Sequence, residues 1–85
     1  MPAKFLITRQ SAKKNLRRLP VHIHEKIISV LGKIQENPLI GVKLHGDLSA
    51  YYKFRVGDYR IVYKFDKKIS IVEVVRIEHR QGVYR

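Results

Sequence analysis

Hydrophobic positions along the chain change their period once, near residue 50. Lys4-Phe5-Leu6-Ile7-Thr8 opens with the composition of a short strand. Thr8 or Ser11 can cap a helix running toward Arg18, with Ala12, Leu16 and Leu19 on one face and Lys13, Lys14, Arg17 and Arg18 on the other. Pro20 stops that helix and starts a second. There Ile23, Ile27, Leu31 and Ile34 recur at helical spacing, Ile28 and Val30 widen the stripe, and Asn37-Pro38 ends it. The two segments read as an αα-hairpin with one buried face.

From residue 51 the pattern alternates. Tyr52, Phe54 and Val56 interleave with Lys53 and Arg55, and Tyr59, Ile61, Tyr63 and Phe65 interleave with Arg60, Val62 and Lys64. Gly57-Asp58 between them, glycine first, suits a type II′ hairpin turn. A second turn at Asp66-Lys67-Lys68 leads to Ile69–Glu78, which is apolar on both parities and reads as an interior strand. The predicted fold is a two-layer α+β domain: an N-terminal strand, an αα-hairpin, then an antiparallel β-meander with the helices packed on one sheet face. Residues 1–85 form one domain, since 85 residues are too few for two.

The hairpin register has a chemical consequence. A two-residue turn pairs Val56 with Tyr59, Phe54 with Ile61 and Tyr52 with Tyr63, giving one apolar face. On the other face Arg55 stands directly opposite Arg60, with Lys53 one step along. Like charges opposed across a sheet repel, and no acid lies within that stretch on that face, because Asp58 is in the turn. A phosphate would turn the repulsion into charge-assisted hydrogen bonds. A solvated basic surface is the plainer explanation; it fails if the cations are there to be used.

Charge favours use. The chain has 18 Lys and Arg against seven Asp and Glu, a net +11. Such an excess attracts polyanions, nucleic acid first, an acidic protein second and an anionic membrane third. Residues 1–20 hold six cations and no acid, whereas residues 21–40 balance two against two. There is no cysteine, which excludes disulfides and thiolate metal sites and fits a reducing cytoplasm. No apolar run exceeds three residues, so no membrane span or signal-peptide core is expected. The carboxylates form no pair and no HExxH or Cys/His ligand spacing occurs, so no metal or cofactor is expected. Any chemistry must run on Lys, Arg, His and Tyr. The tail His79-Arg80-Gln81-Gly82-Val83-Tyr84-Arg85 places an aromatic among cations, as in sites that stack single-stranded bases.

The hairpin Tyr52–Tyr63 together with His79-Arg80-Gln81-Gly82-Val83-Tyr84 resembles the RelE/ParE superfamily of bacterial and archaeal toxins. The lead-in Lys43-Leu44-His45-Gly46-Asp47-Leu48 and the basic helix ending in Leu19-Pro20 are similar too, so the resemblance covers nearly the whole chain. It implies a RelE-like fold and a toxin of a type II toxin–antitoxin system. RelE-type members are ribosome-dependent endoribonucleases that cut mRNA, whereas ParE-type members poison DNA gyrase. The RelE-type basic and tyrosine positions fall on Lys53, Arg55, Arg60, Arg80 and Tyr84, all present, and His79 is a histidine of many relatives. The implied reaction is metal-free attack of a ribose 2′-hydroxyl on the adjacent phosphate. Arg60 and Arg80 would neutralise the phosphoryl oxygens, and Tyr84 would stack on or orient a base. Side-chain bases near neutrality are histidine, or lysine crowded by cations, so Lys53 and His79 are the candidates to take the 2′ proton, Lys53 first through the resemblance. Lys13, Lys14, Arg17, Arg18 and Lys43 would contact rRNA or mRNA phosphates. The implied partners are the ribosome, mRNA and an antitoxin with an acidic, amphipathic segment, operator DNA being reached only through the antitoxin. A gyrase inhibitor without nuclease activity and a plain RNA-binding module are the competing readings.

Overall fold

The computed structural model describes residues 2–46 and 50–79. Strand β1 spans Phe5–Thr8, helix α1 Gln10–Arg17, helix α2 Val21–Glu36, β2 Val42–Lys43, β3 Tyr51–Val56, β4 Tyr59–Asp66 and β5 Ile71–His79. Among the described residues the strands form one sheet in the order β1-β5-β4-β3-β2. β5 is therefore interior, as its apolar character on both parities predicts, with β1 parallel on one side and β4 antiparallel on the other. The two-residue edge strand β2 is an addition that no alternation announces. Ile69 lies in the preceding turn and is exposed, so β5 starts at Ile71 rather than Ile69. There Asp66 Oδ1 accepts hydrogen bonds from the amides of Lys68 and Ile69, and Ser70 takes φ 57°.

Both helices lie on one face of the sheet, burying Ala12, Ile27, Val30, Leu31 and Ile34 against Tyr52, Val56, Ile61, Tyr63, Val72, Val74 and Ile77. Each fully buried isoleucine contributes about 1.5–3 kcal/mol of transfer free energy. Ile23 is half-buried, but Ile28 is 47% exposed, so the α2 stripe is widened by Val30 and not by Ile28. Neither Thr8 nor Ser11 caps α1; Arg9 occupies the N-cap without a side-chain hydrogen bond. Ser11 instead donates through Oγ to the Val75 carbonyl at 2.6 Å, and Asn15 Oδ1 accepts from the Ile77 amide at 3.0 Å. With the Arg9 amide bonded to the Val74 carbonyl, α1 takes over the β5 edge where the four-residue β1 runs out.

The β4–β5 ladder carries one irregularity. Val62 pairs with Arg76 but Tyr63 pairs with Val74, leaving Val75 as an extra residue. This bulge reverses the facing of β5 beyond it. Ile77 is thereby turned into the core, and Arg76 and Glu78 onto the face the helices leave open.

Candidate active site

The open face is built by the hairpin β3–β4 and the end of β5. Gly57 has φ +59° and Asp58 does not, the combination a type II′ turn needs. The register is the predicted one: Val56 opposite Tyr59, Arg55 opposite Arg60, Phe54 opposite Ile61, Lys53 opposite Val62 and Tyr52 opposite Tyr63. Tyr52 and Tyr63 stack on the core side, ring centroids 5.3 Å apart, which makes the hairpin rigid. Lys53, Arg55 and Arg60, with Val42 and Tyr59, line a cleft of about 310 Å³. Val42 is on this face because it pairs with Lys53, whereas Lys43 pairs with Tyr52 and belongs to the opposite face. Further along the open face Lys64 lies over the Tyr51 ring, 5.3 Å from its centroid.

Lys53 and Arg55 are exposed, but Arg60 is not the uncompensated cation that the hairpin alone implies. Its cross-strand partner on β5 is Glu78, and Arg60 Nε sits 3.4 Å from Glu78 Oε1, both side chains 26% exposed. The other carboxylate oxygen pairs with Arg76 Nε at 3.2 Å. The acid comes from outside the hairpin, so the repulsion between Arg55 and Arg60 is partly relieved by the neighbouring strand. Half-burial leaves the Arg60 guanidinium accessible from the cleft. Arg76 and Glu78 are neighbours of the cleft cations that the hairpin pattern did not reveal, because their facing depends on the bulge.

His79 stands apart from this group. It pairs with Tyr59, the two rings meeting edge to face at 4.8 Å and 85°, in register with the buried pair Ile61 and Ile77. Lys13, Lys14, Arg17 and Arg18 are exposed on α1, beyond the β5 edge. Asn15 is fixed at Ile77, opposite Ile61, so the C-terminal end of α1 lies at the hairpin end of the sheet. Arg80 and Tyr84 lie outside the described residues. Among the described residues no three His, Cys, Asp or Glu side chains gather as metal ligands, and no helix is long and apolar enough to cross a membrane.

A cationic cleft on an open antiparallel face, reached by an N-terminal strand and backed by two helices, has close parallels. Residues 6–84 match the family model described as the ParE toxin of the type II toxin–antitoxin system, parDE. The chain belongs to this toxin family. It is 36% identical over 77 residues to Toxin RelE of Mycobacterium tuberculosis, covering 88% of this chain and 79% of that one. It is 30% identical over 77 residues to Toxin RelG of the same organism, covering 88% of each. The crystal structure of the toxin–antitoxin complex RelBE2 from M. tuberculosis holds a chain that superposes with a TM-score of 0.85 at 27% identity, over 94% of this toxin and 100% of that chain. The RelE-like two-layer α+β fold is thus established for this toxin, with two helices on a five-stranded mixed sheet among the described residues.

Proposed function

We propose that this toxin is a metal-independent, ribosome-dependent endoribonuclease that cuts mRNA and so inhibits translation. The observation that carries the reading is the joint placement of Lys53, Arg55 and Arg60 around one cleft on the sheet face the helices leave bare. A phosphodiester seated there meets two guanidinium groups that can each bind it through two N–H donors. The ribose 2′-oxygen attacks the adjacent phosphorus, the bond from phosphorus to the 5′-oxygen breaks, that oxygen takes a proton from solvent water, and a cyclic 2′,3′-phosphate and a free 5′-hydroxyl result. Arg60, with Arg80 from the tail, stabilises charge on the phosphoryl oxygens, the largest contribution expected in a site of this kind. Lys53 takes the 2′ proton. His79 is the weaker candidate, because it is not among the cleft's lining residues and its ring is engaged edge to face with Tyr59. Tyr84 stacks on a base. With so few acid–base groups, the ribosome supplies the alignment of the mRNA, and exposed cations on α1 meet rRNA phosphates.

The partner that restrains the activity is an antitoxin protein, as in the RelBE2 toxin–antitoxin complex. The open face suits an acidic, amphipathic segment: Phe5 and Ile7 are 61% and 49% exposed there, on the same face as the cations. The family model's ParE description favours one second reading, a gyrase inhibitor that cuts no RNA. Adding the purified toxin to a translation extract and mapping RNA ends separates the two. New 5′-hydroxyl ends inside coding regions, lost in Arg55→Ala and Arg80→Ala variants that remain folded, are expected. Intact mRNA together with blocked supercoiling by gyrase would establish the other reading.

A further inference from the structure

A carboxylate on a surface that binds phosphate opposes its ligand, so Glu78 needs a reason to be there. Among the described residues the other acids lie elsewhere: Glu25 and Glu36 on α2, Asp58 in the hairpin turn, Asp66 at the far end of β4, and Glu73 toward the far end of β5, where Arg9 holds it at 3.1 Å. Glu78 stands opposite Arg60 in the β4–β5 ladder and divides its two oxygens between two arginines, Oε1 toward Arg60 Nε and Oε2 toward Arg76 Nε. The approach through Nε occupies one edge of the Arg60 guanidinium. Arg60 also lines the cleft, where its remaining N–H donors can meet a phosphate. Arg76, 56% exposed, pairs with the second carboxylate oxygen of Glu78 and keeps the carboxylate from turning wholly to Arg60. The bulge at Val75 is what makes this arrangement available, since an unbroken register would carry Glu78 to the core side.

We propose that Glu78 is a positioning residue for Arg60, anchored in turn by Arg76, and that it sacrifices ground-state affinity for RNA to hold the guanidinium where charge develops in the transition state. This rests on the nuclease reading above. The expected signature is a split between binding and turnover. Replacing Glu78 by Gln removes a negative charge from an anion site, so RNA binding stays equal or tightens. Loss of alignment lowers kcat by roughly 10- to 100-fold.

The test compares the parent, Glu78→Gln and Glu78→Asp in the translation extract, with melting temperatures measured alongside. Supporting results are an unchanged or lower KM, a depressed kcat and an unmoved melting temperature in Glu78→Gln, with partial recovery in Glu78→Asp. A kcat at or above the parent's, or a loss that tracks a fall in melting temperature, overturns the proposal. A second measurement needs no activity: the Nε–Hε proton of Arg60 by NMR in the free protein. It should be shifted and slow to exchange in the parent and merge with the solvent-exposed arginines in Glu78→Gln, while that of Arg55 stays put. An Arg60 signal indifferent to the substitution overturns the proposal whether or not RNA is cut. A parent that cuts no RNA overturns the nuclease reading instead, and the NMR result alone then decides whether Glu78 holds Arg60.

Discussion

Tyr63 shows how a single buried hydroxyl shapes the cleft from behind. Its ring is wholly buried on the core side of β4, and the hydroxyl donates to the Pro38 carbonyl at 2.7 Å while accepting from the Gly41 amide at 3.0 Å. Burial raises the phenol's pKa, so it stays a neutral donor. These two bonds pin the loop between α2 and β2, and β2 places Val42 beside Lys53 at the cleft wall. Tyr63→Phe keeps the ring but leaves a carbonyl and an amide without that partner, at an expected cost of about 1–3 kcal/mol. Unfolding at an unchanged denaturant midpoint would contradict this. Gly41 meets the same atoms from the other side: a Cβ there would lie 2.6 Å from the Tyr63 hydroxyl oxygen and 2.8 Å from the Lys53 carbonyl oxygen. Gly41→Ala should therefore displace β2 and lower both stability and cleavage, read by melting temperature and by RNA end mapping.

Helix α1 acts as a substitute strand, and two short polar side chains make it one. Ser11 and Asn15 satisfy the Val75 carbonyl and the Ile77 amide where β1 no longer reaches. Asn15→Ala should expose the Ile77 amide to faster hydrogen exchange and destabilise by about 1–3 kcal/mol; an unaltered exchange rate would show that the bond carries no weight. A change of role separates what the chain makes legible from what it hides. The hairpin could be read because its turn type dictates its register: Gly57-Asp58 alone sets Arg55 against Arg60. The helices could be read because period and proline mark them. Ser11 looks like a cap but serves β5, which only the three-dimensional neighbour of α1 reveals. β5 holds the larger lesson. Val72 and Val74 are two apart and Ile77 three further on, a broken alternation that is the trace of the bulge. Two consecutive valines hide it, because Val75 is buried as well, on the other side of the sheet. Glu78 thus lands beside Arg60, a relation that the alternation could not supply.

For the whole molecule, charge governs both stability and binding. Arg9 hydrogen-bonds Glu73, and with Lys64 opposite it on β4 holds that carboxyl below its usual range. A folded-state value below the unfolded one means that the folded protein binds protons less readily. This contribution is complete above about pH 5 and fades as pH falls through and below about 4.3. Glu73→Gln should flatten that part of the acid-unfolding curve, and an identical curve would show the pair to be fully screened.

A net charge of +11 attracts any polyanion, so on the nuclease reading RNA affinity alone cannot say which cations touch it. Salt dependence can. Each phosphate neutralised on single-stranded RNA contributes about −0.7 to the slope of log affinity against log salt. If Lys13, Lys14, Arg17 and Arg18 contact RNA, replacing all four with Gln should make the slope shallower by about 3. The cleft, on the other side of β5, keeps its own contribution, so alignment at Lys53, Arg55 and Arg60 persists. Saturating ribosomes should then restore the parent's kcat while KM stays raised. An unchanged slope would mean that the helix is only a solvated face, and a lost kcat would mean that α1 positions the reacting phosphate as well as attracting it.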